Sequence, residues 1–246
     1  MTAAASGLFE TMRRVAAELP LLDAHLARLL ASARALSFAD LDEAELRRRC
    51  LERALEEHRR VPDDAILRLE VGSQGQIAFD ARPLRARTIP LRVDLVVMPA
   101  GTFGGRHKTV DRSLWDAIRA QSGEGSDDGV LVQADGDVLE ATVANVFAWV
   151  GGAWVTPRAD GRILPGIGRA WALARMRAAG LDVEERRLSV EELHDSRSIL
   201  LTNAVYGARL AVLRGRDGDG DGESSPPGQL PGCLVWPPGP YSGVAR

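Results

Sequence analysis

The chain has 246 residues, with 31 basic against 34 acidic side chains and a formal net charge of −3. That balance excludes a general nucleic-acid binder, which carries a basic excess, and a hydrophobic fraction of 45% is that of a globular chain long enough for a sizeable core. All but one of the basic residues are arginine, so chemistry that needs a primary amine has one place to occur, Lys108.

In chain order, residues 20–37 place Leu22, Leu26, Leu29, Leu30, Ala33 and Leu36 at helical spacing, with Asp23 as the expected N-cap. A second, heavily charged helix is expected from an Asp40 or Asp42 cap to about Arg60, where Val61-Pro62 stops it. Residues 65–71 and 76–80 read as a hairpin around Gly72-Ser73-Gln74-Gly75. The Pro- and Arg-rich stretch 82–90 breaks the pattern and is the expected domain boundary. A strand at 92–98, a glycine loop at 101–105 and a helix over 111–121 follow, then a hairpin over 129–150 turning at Asp135-Gly136-Asp137. Gly151-Gly152 turns into a strand at 154–156, and a helix over 168–179 stops at Gly180. Strands near 181–187 and 198–203, with a short helix between them, complete the pattern. From Arg214 onward 14 of 33 positions are Gly or Pro, which predicts a flexible tail, dispensable for chemistry. Within it, residues 217–222 imitate the first half of a calcium loop. Gly228 stands where the bidentate acid is required and no helix flanks the motif, so no metal is expected.

Cys50 and Cys233 lie far apart with no CxxC, as expected of a protein in the reducing cytoplasm. The N-terminal residues lack the basic-then-apolar order of a secretory signal. No apolar run reaches the roughly 18 residues that a span requires. A soluble cytoplasmic protein without membrane or nucleic-acid partners is the expectation.

Five positions could carry chemistry. A lysine amine can lose its proton and attack a carbonyl, whereas guanidinium stays protonated; in an arginine-rich chain Lys108 is the one cation that could do so. Arg28, three residues after His25 on the same helical face, could bind an anion in its fork. Glu140 lies in the otherwise apolar LEATVANVFAWV, where a buried carboxylate needs a cationic or donor partner. Leu164-Pro165-Gly166-Ile167-Gly168-Arg169 leads into a helix whose first N–H groups could cradle a phosphate. As a dinucleotide fingerprint it fails, because Trp171 occupies the third glycine position. Thr202-Asn203 ends a short strand and could add an anion contact. Singly, each also has an ordinary reading: a surviving lysine, a surface arginine, an edge glutamate, a helix entry, a turn.

Taken in order, LFETMR, HLARL, HKTVDR, LEATVANVF, LPGIGR and LTNAVYG resemble the fold-type IV pyridoxal-phosphate enzymes, the class IV aminotransferase family, over residues 7–213. That family includes branched-chain and D-amino-acid aminotransferases and aminodeoxychorismate lyases, and the LFETMR and HKT forms are most similar to the lyases. The resemblance implies a two-domain α+β/α/β fold of the D-amino-acid aminotransferase type. It sets a small N-terminal α/β domain (1–88) before a larger, barrel-like cofactor domain (89–213) and the tail (214–246). It further implies pyridoxal 5′-phosphate bound between the domains, a homodimer and an amino-acid-like small-molecule substrate. Lys108 would form the imine with the cofactor and act as the base. Arg28 would bind the phosphate with the N–H groups of Ile167 and Gly168 and with Asn203 and Ala204. Glu140 would pair with the pyridine nitrogen, and Thr11 would face the substrate.

The sequence departs from the family pattern at several points. Gly168 stands where Thr or Ser is common, Ser113 lies where many aminotransferases place a tyrosine, and Tyr206 precedes Gly207 where fused lyases carry arginine. Six residues precede Gly7, fewer than usual. The expected activity is release of pyruvate and para-aminobenzoate from 4-amino-4-deoxychorismate. The alternatives are a branched-chain or D-amino-acid aminotransferase and a family member without chemistry.

Overall fold

Alternation in the first strand decides how the N-terminal half is layered. In a computed structural model describing residues 5–85, 89–98, 105–214, 230–234 and 236, β1 (Gly7–Arg14) pairs antiparallel with β2 (Ala65–Gly72), and β2 with β3 (Ile77–Pro83). Side chains two apart share a face. Leu8 and Met12 of β1 and Leu67, Leu69 and Val71 of β2 therefore bury against α1 (Leu22–Ala35) and α2 (Glu43–Arg60). The alternate residues, Phe9, Thr11, Ile66 and Arg68, line a cavity on the opposite face. Arg14 is fully enclosed on the helix side, where its guanidinium donates to the carbonyls of Val61 and Asp63 at 2.7 Å each and to that of Ala16.

The second sheet holds eight strands in the order β10-β11-β4-β5-β6-β7-β8-β9, and an extra pairing of β10 with β7 closes the ring from β4 to β7 through β10 and β11. Its strands are β4 (Leu91–Val97), β5 (Asp128–Val132), β6 (Val138–Ala141), β7 (Ala144–Val150), β8 (Ala153–Thr156), β9 (Val183–Glu185), β10 (Ile199–Asn203) and β11 (Gly207–Leu213). Val93, Val130, Val138, Val146, Ile199 and Leu201 fill the inside of the ring. The apolar side of α4 (Ile167–Ala178), carrying Trp171, Ala172 and Met176, packs outside against Phe147, Leu200 and Ala208. α3 (Ser113–Arg119) and α5 (Val190–Asp195) are short, and α5 is opened by a capping box between Ser189 and Glu192. A small antiparallel sheet domain beside a larger closed, barrel-like one is the expected fold class.

Several local expectations are corrected. Asp23 does not cap α1. Leu21 occupies that place in a left-handed conformation (φ 72°), and Asp23 sits in the first turn paired with Arg47. Residues 129–150 form three strands rather than one hairpin, because Thr142-Val143 makes a second tight turn after the one at Gly136. Strands β1 and β11 were not anticipated. The 101–105 loop lies outside the described residues except for Gly105, and the calcium-like 217–222 lies wholly outside them. The tail reading also needs revision. Leu234 is 1% exposed and joins the α4 cluster, with Cys233 and Trp236 packed beside it. Average composition hides two large apolar side chains that find a groove on α4. No helix of the described residues is long and apolar enough to cross a membrane.

Candidate active site

The two sheets meet along a short seam. The Phe9 N–H donates to the Lys108 carbonyl at 2.9 Å and the Val110 N–H to the Gly7 carbonyl at 3.0 Å, so residues 108–110 run beside β1. A cavity of about 620 Å³ lies at this seam, and the residues to which the family resemblance assigns a role all line it: Thr11, Arg28, Lys108, Glu140, Ile167, Gly168, Asn203 and Ala204. The Lys108 ammonium nitrogen stands 4.5 Å from the centre of the Phe9 ring. Withdrawal from bulk water pushes its pKa down to about 8; the positive charge of Arg28 adds to this and the carboxylate of Glu10 opposes it. A sizeable fraction of this amine is therefore uncharged just above neutrality.

Arg28 is held by a partner that the sequence reading did not find. Its Nε donates to Glu10 Oε1 at 2.8 Å and its Nη2 to Glu10 Oε2 at 2.5 Å, while Nη1 reaches the Pro165 carbonyl at 3.2 Å. Glu10 is 1% exposed. Burial alone would raise its pKa, but the Arg28 charge and the hydrogen bond from His25 win and bring it to about 2. His25 Nδ1 lies 2.7 Å from Glu10 Oε2, and burial pushes the imidazole below its ordinary pKa. We therefore assign a neutral ring with the proton on Nδ1, in keeping with an Nε2 that has no hydrogen-bond partner. The signal available for Glu10 was the strand alternation of residues 7–14, which puts it among buried positions.

Glu140, 4% exposed on β6, is gripped on both oxygens: the Leu164 N–H donates to Oε1 at 3.0 Å and Asn145 Nδ2 to Oε2 at 3.0 Å. Burial raises its pKa to about 8, opposed by the Leu164 N–H and by the Lys108 charge. A cationic or donor group placed beside it would restore its charge. Asn145, another residue the sequence reading missed, also donates to the Leu164 carbonyl at 3.0 Å and so fixes the loop entering α4.

That loop meets the β10–β11 turn at the contact of Gly168 with the Asn203 backbone, where an anion could be received. No side chain caps α4, so the first N–H groups after Gly166 have no partner within the helix. Across from them, Asn203 Oδ1 accepts from the N–H groups of Val205 and Tyr206 at 3.1 and 2.9 Å, and its Nδ2 donates to the Val143 carbonyl at 3.3 Å. The Asn203 side chain is thus committed to shaping the turn. The absence of a hydroxyl at 168 has a steric cause: a Cβ there would lie 2.4 Å from the Asn203 carbonyl carbon. Gly166 is equally tight, since a Cβ would come within 1.8 Å of Asn145 Oδ1. Ser113 does not stand in for a tyrosine hydroxyl. It faces solvent outside the cavity and donates to Asp111.

The opposite wall is cationic. Arg68 stacks on Phe9 at 3.7 Å and pairs with Glu70 at 2.5 Å. Arg112 lies 6.0 Å from the same ring and 5.8 Å from that of Trp115, and donates to the Thr142 carbonyl at 2.9 Å. Arg82, Arg85 and Arg119 line the outer part. Among the described residues none of Arg82, Arg85, Arg112 and Arg119 forms an ion pair, and Glu140 is the only carboxylate lining the cavity.

Comparison with known proteins gives the family of the chain. Residues 7–212 match the family model for amino-transferase class IV. A hypothetical aminotransferase from Mycobacterium tuberculosis in its PLP-bound form superposes with a TM-score of 0.77 at 25% identity, covering 88% of this chain and 86% of that one. The 4-amino-4-deoxychorismate lyase from Pseudomonas aeruginosa superposes with a TM-score of 0.71 at 22% identity, covering 87% of each chain. In sequence, a branched-chain-amino-acid aminotransferase-like protein from Arabidopsis thaliana is 33% identical over 101 residues, 40% of this chain and 18% of the relative. The chain matches about a fifth to a quarter of the length of such curated relatives.

Two outcomes follow from this geometry. Gly168→Ala must push α4 away from the β10–β11 turn and should cost roughly 1–3 kcal/mol, read from urea unfolding; an unchanged midpoint would mean that the turn yields freely. Glu10 has a folded pKa of about 2, below its ordinary value of 4.5. Its stabilisation is complete above the ordinary value and is lost as pH falls towards about 2. Glu10→Gln should remove that part of the acid-side slope, and a variant with the wild-type profile would discount the buried pair.

Proposed function

This chain belongs to the amino-transferase class IV family, and we propose that within it the chain is a lyase releasing pyruvate and para-aminobenzoate from 4-amino-4-deoxychorismate. Enzymes of this family depend on pyridoxal 5′-phosphate. The cavity suits that cofactor: it holds the chain's one amine, a buried carboxylate awaiting a cation, and a cradle of open N–H groups kept clear by Gly166 and Gly168. In this reading Lys108 anchors the cofactor. Arg28, the N–H groups of Ile167 and Gly168, and the backbone of Asn203 and Ala204 would hold its phosphate, and Glu140 would pair with its ring nitrogen.

When bound, the cofactor supplies a sink for the electron pair left as the carbon bearing the substrate amine loses its proton. Lys108, with its pKa near 8, is suited to take that proton as a free base and to hold it as an ammonium. Glu140 as a carboxylate would keep the ring nitrogen protonated. Thr11 and Phe9 bound the substrate side. The working unit we take to be a homodimer, as the family resemblance implies.

One observation favours the lyase over a branched-chain aminotransferase: the arginine-rich wall around Phe9 and Trp115. Aminodeoxychorismate carries two carboxylates away from its amine, and unpaired guanidiniums suit them. An aliphatic side chain would offer Arg112 and Arg119, which donate only to carbonyls, no anionic partner. The sequence matches to branched-chain aminotransferases keep transamination as the second reading.

Tests separate these readings. Purified protein should be yellow, and borohydride should leave the cofactor covalently on the peptide carrying Lys108. Lys108→Arg keeps the charge but should reduce turnover by about 10³-fold or more; full activity in that variant would sink both readings. Covalent uptake of the cofactor by the apoprotein should quicken as pH rises through about 8, where Lys108 loses its proton; a midpoint near 10.5 would contradict the shift. Aminodeoxychorismate should yield pyruvate and para-aminobenzoate, and Arg112→Leu should raise KM roughly tenfold or more while changing kcat less. Oxo acid formed from a branched-chain amino acid and 2-oxoglutarate, with no product from aminodeoxychorismate, would reverse the assignment.

A further inference from the structure

The match to the family model ends at residue 212, yet residues 233, 234 and 236 pack against the protein beyond it. There the Leu234 N–H donates to the Pro231 carbonyl at 2.9 Å, turning the chain so that Leu234 enters the cluster containing Trp171 and Ala172 of α4. Arg175, also on α4, donates from Nε to the Cys233 carbonyl at 3.1 Å. Trp236 then reaches both halves of the anion cradle. Its indole meets Trp171 edge to face, with ring centres 4.7 Å apart, and its Nε1 donates to the Val205 carbonyl at 2.9 Å. Gly207, the residue that closes the same turn, has φ +70°, and a Cβ there would lie 2.4 Å from the indole Cγ. Trp236 does not line the cavity.

We propose that Trp236 is a positioning residue for the cofactor phosphate, a clamp that fixes the N-terminus of α4 against the β10–β11 turn from behind. The cradle is discontinuous: Ile167 and Gly168 begin a helix, while Asn203 and Ala204 end a strand. Backbone N–H groups bind an anion well only if their spacing is set before it arrives. At the contact of the two elements Gly168 offers no side chain to tie them together. One rigid aromatic group touching Trp171 on one side and Val205 and Gly207 on the other supplies that tie, and Leu234 with the Cys233 carbonyl seats it. Ile167 and Ala204 belong to the same apolar cluster as Leu234 and Trp236, so displacement of the indole is felt directly behind the donors.

The proposal rests on the reading that this cradle takes the phosphate of pyridoxal 5′-phosphate. It is tested on full-length apoprotein by measuring equilibrium binding of pyridoxal 5′-phosphate and of pyridoxal, which lacks the phosphate. Wild type should prefer the phosphorylated form. Trp236→Ala should weaken pyridoxal 5′-phosphate binding about tenfold or more while leaving pyridoxal binding within about twofold. Trp236→Phe, which keeps the ring contact and loses the hydrogen bond to Val205, should fall between the two. Trp149→Phe, in the same cluster but away from the turn, controls for general loosening and should leave both affinities unchanged. If Trp236→Ala lowers the melting temperature yet binds both ligands as wild type does, the indole is only a packing residue and the clamp is overturned. Equal weakening of both ligands would overturn it as well. A wild type that does not distinguish the two ligands would instead overturn the phosphate reading, and the clamp with it.

Discussion

The hydrogen bond from the Phe9 N–H to the Lys108 carbonyl fixes the amine relative to both sheets at once. It makes residues 108–110 an extra edge for β1, with the Val110 N–H returning to Gly7 one step further along. The alternation of β1 then sets everything near it. Phe9 and Thr11 must point into the cavity, while Leu8, Glu10 and Met12 must point towards α1 and α2. Because Arg28 leaves α1 at the cavity edge, Glu10 can hold it from the helix side while the guanidinium lines the cavity. A one-residue slip of this seam would exchange the two faces of β1 and bury Phe9 where Glu10 now meets Arg28.

Charge is distributed unevenly around that seam, and the imbalance has consequences. Glu10 is engaged by Arg28 and His25, so among the described residues Glu140 is the one carboxylate lining the cavity, together with Lys108, Arg28, Arg68 and Arg112. Lost hydration first, and the neighbouring cations second, drive the amine towards its neutral form. The same crowding makes the folded protein a better host for anions than the unfolded chain, so anionic ligands should add to its stability by mass action. Like charges across the mouth are tolerated because flat guanidiniums rest on Phe9 and Trp115 and donate to carbonyls such as that of Thr142.

Local signals in the sequence predict the elements they lie in, and departures from them come from interactions between distant segments. Asp42 caps α2 as expected, because a cap is decided by neighbours two and three residues away. The β2–β3 hairpin, the Gly136 turn and the end of α4 at Gly180 are likewise local. The residues that the cavity brings together were legible by resemblance and by residue type, Lys108 most plainly because no other lysine exists. Glu10 and Asn145 were not legible as site residues, since their roles depend on Arg28 and on Leu164, 18 and 19 residues away. Strand β11 gives no separate signal from its seven residues, and the closure of the ring by β7 and β10 brings together positions as far apart as Asn145 and Thr202. Asp23 failed as a cap because Leu21 turns the chain by adopting a left-handed conformation, and Arg47 captures its carboxylate.

Gly168 shows how a departure from a family pattern can be a consequence of packing. A hydroxyl-bearing residue there would give the cradle a side-chain donor, but the Asn203 backbone approaches too closely to leave room for any Cβ. Such an approach exchanges a flexible side-chain donor for two backbone elements in direct contact, which is advantageous only if their separation cannot drift. Packing behind the contact therefore matters more here than in a cradle built around a hydroxyl. Leu234 and Trp236 occupy that position, drawn from a segment whose composition reads as a linker. Two apolar side chains suffice, because a groove lined by Trp171 and the β10–β11 turn accepts them whatever the glycines and prolines around them prefer.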